Sequence, residues 1–154
     1  MAVEADSRRK PERPVVGVGV VVWRENEFLL VRRGKAPNKG QWSIPGGAQH
    51  LGETVFAAGE REVREETGLR VKVLGLVDVV DGIHRDDSGA VDWHYTLVDL
   101  VAESASGEAR AADDAEEAAW FSLAELPGLG LWSETERVIR QSASIRDASS
   151  VLLQ

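Results

Sequence analysis

Four glutamates and an arginine stand in a fixed pattern between two glycines in residues 47–69, GAQHLGETVFAAGEREVREETGL. Glu62, Glu65 and Glu66 are spaced i, i+3, i+4, so a helical segment places them within about one third of its circumference. Three like charges on one exposed arc repel one another and should collect a cation. Magnesium takes six oxygens in octahedral array, keeps several waters, and is normally held by one or two carboxylates plus substrate phosphates. Carboxylates one helical turn apart supply such a partial shell and leave positions open. An ion so held can polarise a phosphoryl oxygen and lower the pKa of a water, so the chemistry indicated is water attack on a diphosphate linkage. Taken alone, EREVREE would read as a solvated helix face stabilised by i,i+4 pairs. Its excess of acid, and its junction with Pro45-Gly46-Gly47 on one side and Gly68-Leu69 on the other, argue for a metal site.

The 154 residues suffice for one domain, and a chain of this size buries roughly 70% of the surface its unfolded form exposes. There is no cysteine, which excludes disulfides, thiolate zinc sites and cysteine nucleophiles. The net charge of −8 argues against a general nucleic-acid-binding surface, because phosphate-backbone affinity comes from clustered Lys and Arg. The one basic cluster, Arg8, Arg9, Lys10 and Arg13, reads as solvated tail. An acidic protein that binds a phosphorylated small molecule needs a divalent metal to supply much of the attraction. The first residues carry no secretory signal, and no apolar run approaches the ~20 residues needed to cross a bilayer. The expectation is a soluble, cytoplasmic protein without membrane association. It has a disordered tail over residues 1–13, a single domain over 14–148 and a short tail over 149–154.

The elements that must position the acids follow from local pattern. Residues 15–23 are β-branched and almost wholly apolar, and 27–33 follow after a short polar turn, which predicts a buried hairpin or meander. Residues 34–41 read as a loop. A helix is predicted from about Thr54 to Thr67, ended by Gly68 in a left-handed cap. Phe56 and Val63 should face the sheet beside the acidic arc, and Gly59, unfavourable in a helix interior, hints that something packs close there. Strands are expected over 69–80, 91–102 and 118–121, with 81–90 a polar loop. Ser122/Glu125 and Ser133/Glu136 have capping-box spacing and should open two further helices, the second reaching about Arg146. This order predicts a mixed sheet between helical layers.

Gly47, Glu53, Arg61, Glu62, Val63, Glu65, Glu66, Gly68 and Leu69 resemble the Nudix box, G-x5-E-x7-R-E-U-x-E-E-x-G-U with U aliphatic, at every position. A chance match is on the order of one in a billion per register. Leu29 to Arg33, Gly40, Trp42 and Pro45-Gly46-Gly47 look like the approach to the box, and Trp120-Phe121 like the family's C-terminal end. The resemblance implies an α/β (α+β) chain folded as an α/β/α sandwich with a mixed central β-sheet. It further implies a metal-dependent pyrophosphohydrolase acting on a small-molecule nucleoside diphosphate, with magnesium as cofactor and manganese able to replace it.

By the same resemblance the Gly46 carbonyl and the Glu62, Glu65 and Glu66 side chains are the metal ligands. Arg61 and Glu53 orient the ligating acids. Glu65 is the favoured general base, and Asp113, Asp114, Glu116 and Glu117 are the downstream alternatives. Arg33, Trp42 and Gly47 are candidate substrate contacts. ADP-ribose or a nucleotide sugar leads as substrate, with a mutator-type nucleoside triphosphate pyrophosphohydrolase second and a catalytically silent nucleotide-binding domain third. A silent domain is expected to have lost box acids, and none is lost here. The resemblance also allows a homodimer. Gly17-Val-Gly19 lacks the third glycine and following helix of a dinucleotide loop and reads as strand. His84 and His94 lack zinc-site spacing.

Overall fold

The structure is a computed structural model that describes residues 8–35, 38–105 and 107–152. Its strands are β1 (Val15–Arg24), β2 (Glu27–Arg33), β3 (Trp42–Ser43), β4 (Gly46–Ala48), β5 (Val71–Arg85), β6 (Val91–Ser104) and β7 (Ala115–Ser122). The helices are α1 (Val55–Thr67), a 3-10 turn over Leu123–Leu129, and α2 (Ser133–Leu152). Among the described residues the strands form one sheet in the order β3-β2-β1-β6-β5, with β4 added to β1 and β7 to β2. β1 and β6 run parallel while the other pairs are antiparallel, so the sheet is mixed.

Alternation along β1 divides the core, because successive side chains of a strand point to opposite faces. Val18, Val20 and Val22 pack with Ala58 and Val63 of α1. Val21 and Trp23 pack on the other face with Val138 and Ile139 of α2, where the Trp23 indole N–H donates to the buried Ser142 hydroxyl at 2.9 Å. Helices on both faces make the expected α/β/α sandwich. Gly59 has the neighbour its position suggested: a Cβ there would lie 3.0 Å from both the Leu100 and Val20 methyls. The missing side chain lets α1 approach the sheet closely.

Both ends of α1 follow their residue types. The Thr54 hydroxyl accepts the Ala57 N–H at 3.1 Å, and Gly68, at φ 75°, donates its N–H to the Arg64 carbonyl. Elsewhere the chain departs from its local pattern. Residues 81–85, expected in a loop, continue β5 because they pair with β6 from Asp81↔Thr96 to Arg85↔Val91. The turn is confined to 86–90, where the Asp86 carboxylate accepts from the Ser88 and Ala90 N–H groups. Phe56 is exposed rather than packed, because the face of α1 that meets the sheet is carried by Val55, Ala58 and Val63. The Ser122/Glu125 capping box forms. The Ser133/Glu136 one does not, because Ser133 is already helical and the Glu136 carboxylate takes Arg140. α2 also runs to Leu152, past the expected end at Arg146. Of the expected N-terminal tail, residues 1–7 lie outside the described residues, while Arg9 and Lys10 are held against β6 by the Asp92 side chain and carbonyl. No described helix is long and apolar enough to cross a membrane.

Candidate active site

α1 crosses the sheet where β4 pairs with β1, and this crossing places the acids. Gly46 and Gly47 are there because nothing larger fits. A Cβ on Gly46 would overlap the Val18 carbonyl and the Gly19 Cα, and one on Gly47 would lie 2.5 Å from the Glu62 carboxylate. The strand is thereby seated on β1 and under the helix at once. The Gly46 N–H donates to Glu66 Oε2 at 3.3 Å. The acids do not form an exposed arc as their spacing alone suggested. Glu66 is 8% exposed and the Glu62 side chain 12%, whereas the Glu65 side chain is 42% exposed. Packing of β4 over the helix covers the first two.

Arg61 organises the group. Its Nε and Nη2 donate to the two Glu53 oxygens at 2.7 and 3.0 Å. Nη1 reaches Glu62 at 2.8 Å and Glu65 at 3.2 Å, and Nη2 also reaches the Ala48 carbonyl at 3.0 Å. A fork of five fixed donors is needed to satisfy so many oxygens at once. The Arg61 hydrogen bond and the His50 backbone N–H hold the Glu53 carboxyl down at about 2. Glu53 does not line the cavity; it stands behind Arg61 and orients it. Arg61→Lys should therefore lower kcat/KM on a diphosphate substrate by roughly 10- to 100-fold while leaving the fold intact, measurable by steady-state kinetics beside a melting curve.

The remaining charges do not balance. Burial pushes the Glu62 carboxyl up against the opposing pull of Arg61. Glu66 is pushed up to about 8, first by burial and then by the charge of Glu62, with the Gly46 N–H and the charge of Arg33 acting the other way. Among the described residues no three acidic or imidazole side chains are gathered as tightly as a bound ion would hold them, because the Arg61 guanidinium lies on both Glu62 and Glu65. The donor set nonetheless fits a hard divalent cation: carboxylate oxygens, partly buried, mutually repelling, and served by too few donors.

One cavity of about 620 Å³ receives these groups. Arg33, Trp42, Gly46, Gly47, Arg61, Glu62, Glu65 and Glu66, each expected from sequence, all line it. Trp42 is less free than a stacking platform would be, with the Arg32 guanidinium 4.8 Å from its ring centre and Phe121 edge-on at 5.2 Å. Of the four downstream acids, Asp113 and Asp114 line the cavity, and their charges act on Glu62 and Glu66 respectively. Asp114 is paired with Lys35 at 2.8 Å. Glu116 and Glu117 lie off the lining, Glu117 beside Arg32. His84 lines the cavity from β5, and His94 does not.

Sequence reasoning missed Asp99. It sits in the middle of β6, only 6% exposed, and lines the same cavity. Burial pushes its carboxyl up to about 7. A lone acid in the apolar run Thr96 to Ala102 was the available signal.

A family model described as NUDIX domain matches residues 13–142. The chain is similar to the ADP-ribose pyrophosphatase of Methanocaldococcus jannaschii, 39% identical over 127 residues that cover 82% of this chain and 72% of that protein. It also resembles the putative ADP-ribose pyrophosphatase YjhB of Bacillus subtilis, 28% identical over 75% of this chain and 54% of that one. Among solved structures it superimposes on a MutT NUDIX hydrolase from Burkholderia pseudomallei with a TM-score of 0.71 and 34% identity, covering 84% of this chain and 98% of that chain.

Proposed function

The chain belongs to the Nudix hydrolase family, whose members act on pyrophosphate bonds, and from that premise we propose that it hydrolyses ADP-ribose, or a closely similar nucleoside diphosphate sugar, with magnesium as the working metal. The observation that carries the substrate is the 39% identity to an ADP-ribose pyrophosphatase over most of both chains. The cavity volume of about 620 Å³ suits a ligand of that size.

In this reading the Gly46 carbonyl, Glu62, Glu65 and Glu66 hold the metal. When bound, the cation supplies positive charge against the diphosphate oxygens. Glu65, the most exposed of the three acids, accepts the proton of the attacking water at a side-chain oxygen, and Asp113 is the alternative base. Arg33 meets a phosphate group. Trp42, held by Arg32 and Phe121, forms a fixed wall. Arg61, clamped by Glu53, holds the carboxylates in place throughout. Water adds to one phosphorus and the bridging oxygen leaves, giving AMP and ribose 5-phosphate. The protein acts in the cytoplasm on a small molecule; a homodimer is compatible with this reading and is not needed for it.

The second reading, a mutator-type enzyme that removes pyrophosphate from a nucleoside triphosphate, is favoured by the 34% identity to the MutT NUDIX hydrolase structure. Product identification separates the two. With ADP-ribose, dinucleotides, nucleotide sugars and nucleoside triphosphates each supplied with magnesium, the first reading expects AMP plus ribose phosphate, and the second expects a nucleoside monophosphate plus pyrophosphate. Glu65→Gln should lower turnover by roughly 100-fold or more without unfolding the protein, and EDTA should stop the reaction. Full activity of that variant would remove Glu65 from the mechanism.

A further inference from the structure

We propose that Asp99 selects the base of the substrate, its carboxyl pairing with the acceptor–donor edge of an adenine ring laid against β6. The inference rests on the ADP-ribose reading above and names the residue that would make it specific.

Four alternate residues of β6, Trp93, Tyr95, Leu97 and Asp99, share one face of the strand and line the cavity. The Trp93 and Tyr95 rings stack at 6.3 Å with 12° between their planes. Beside this stripe both neighbouring strands carry glycine: Gly17 and Gly19 of β1 pair with Leu97 and Asp99, and Gly82 of β5 pairs with Tyr95. A Cβ on Gly19 would lie 2.5 Å from Asp99 Oδ1, and one on Gly17 would lie 2.9 Å from a Leu97 methyl. The glycines keep the wall flat and let the carboxyl lie across β1. A flat apolar wall ending in one polar group suits a planar heterocycle with a hydrogen-bonding edge.

That polar group has no protein partner. Among the described residues no hydrogen bond or ion pair reaches the Asp99 carboxyl. Its nearest influential cation, Arg137, is bonded instead to Asp78 and Glu134. A residue only 6% exposed, whose carboxyl has no protein partner and opens onto a cavity, leaves that carboxyl for a ligand to complete. The charged groups acting on it are Asp78 on β5 and Arg137 on α2. Asp81, His84 and Glu134 line the same cavity, and β1 offers no titratable group there. With its carboxyl raised to about 7, Asp99 carries its proton in much of the population near neutrality. A protonated carboxyl presents one donor and one acceptor, the complement of adenine N1 and N6. An ionised one presents acceptors only, the complement of the guanine N1–H and N2 amino pair. The position fits the chemistry: Gly19 joins Asp99 on one side to Gly46 on the other, and Gly46 carries the N–H that reaches Glu66. Base pocket and acid cluster are thus two strands apart in one cavity.

The test measures kcat and KM of the magnesium-loaded wild type, Asp99→Asn and Asp99→Leu with ADP-ribose and with its counterpart built on unsubstituted purine, which carries hydrogen in place of the 6-amino group and so keeps the N1 acceptor but lacks the donor. Wild type should prefer ADP-ribose by about 10- to 100-fold in kcat/KM. Asp99→Leu should lose that preference through KM with kcat little changed. Asp99→Asn, whose amide presents the same donor and acceptor as the protonated acid, should keep it. Undiminished preference in Asp99→Leu, a loss confined to kcat, or indifference of the wild type to the 6-amino group would each overturn the proposal. If Asp99→Leu does not fold, as a melting curve would show, the wild-type preference and its retention in Asp99→Asn decide the matter. A wild type that hydrolyses neither ribose compound overturns the substrate reading instead, which keeps the two failures apart.

Discussion

Replacing Glu66 with glutamine is expected to reduce turnover by roughly 100-fold or more while making the metal-free protein more stable at alkaline pH. Glutamine keeps the shape of the side chain and an oxygen for the Gly46 N–H, so the fold has no reason to change. What it removes is a carboxyl that burial and Glu62 push from 4.5 to about 8. The sign follows from proton linkage. A carboxyl with a raised native pKa holds its proton in the folded state while the unfolded chain has released it, so stability is lost as pH rises from about 4.5 towards 8. The variant lacks that loss. In EDTA its melting temperature should match wild type near pH 4 and exceed it at pH 9. Magnesium should stabilise wild type, by supplying the missing positive charge, and leave the variant nearly unmoved. Greater stability with lost activity is what a group retained for function rather than for folding should show.

Asp99→Asn should show the stability effect without the metal dependence. Burial carries this carboxyl from 3.8 to about 7, a difference worth about 4 kcal/mol when fully expressed. Wild-type stability should therefore fall through the window between pH 4 and pH 7, with the charge of Asp78 adding to the loss and that of Arg137 opposing it. The asparagine variant should keep only the loss that Glu66 causes there, falling less steeply than wild type, and should be more stable by a few kcal/mol at pH 8.5, with or without magnesium, in chemical denaturation monitored by tryptophan fluorescence. An identical pH profile for the two proteins would mean that Asp99 is solvated and not sealed in the cavity wall.

The parts of the fold set by neighbouring residues were legible in the sequence. Thr54 and Gly68 bound α1 as their side-chain chemistry demands, and the acids and Arg61 fall on one side of it because helical spacing puts them there. Gly59 betrayed a close approach before its neighbours Val20 and Leu100 were known. What stayed hidden depends on contacts distant in sequence. Residues 81–85 look like loop because they are polar, yet β6 supplies their hydrogen bonds. β3 and β4 are two and three residues long and exist only because β2 and β1 pair with them. Burial of Glu62 and Glu66, which gives the site its electrostatic tension, requires β4 above the helix. Asp99 was visible as an acid among apolar neighbours, but its role depends on glycines 17, 19 and 82, brought beside it by strand pairing.

The central claim is that the carboxylates of α1 hold a divalent cation, and manganese binding followed by electron paramagnetic resonance tests it most directly. Titrating the wild type and the Glu62→Gln/Glu66→Gln double variant with Mn²⁺, with melting curves to show that both are folded, should give saturable loss of the free-ion signal for wild type and almost none for the variant. Equal Mn²⁺ binding by the two folded proteins would contradict the assignment of the site.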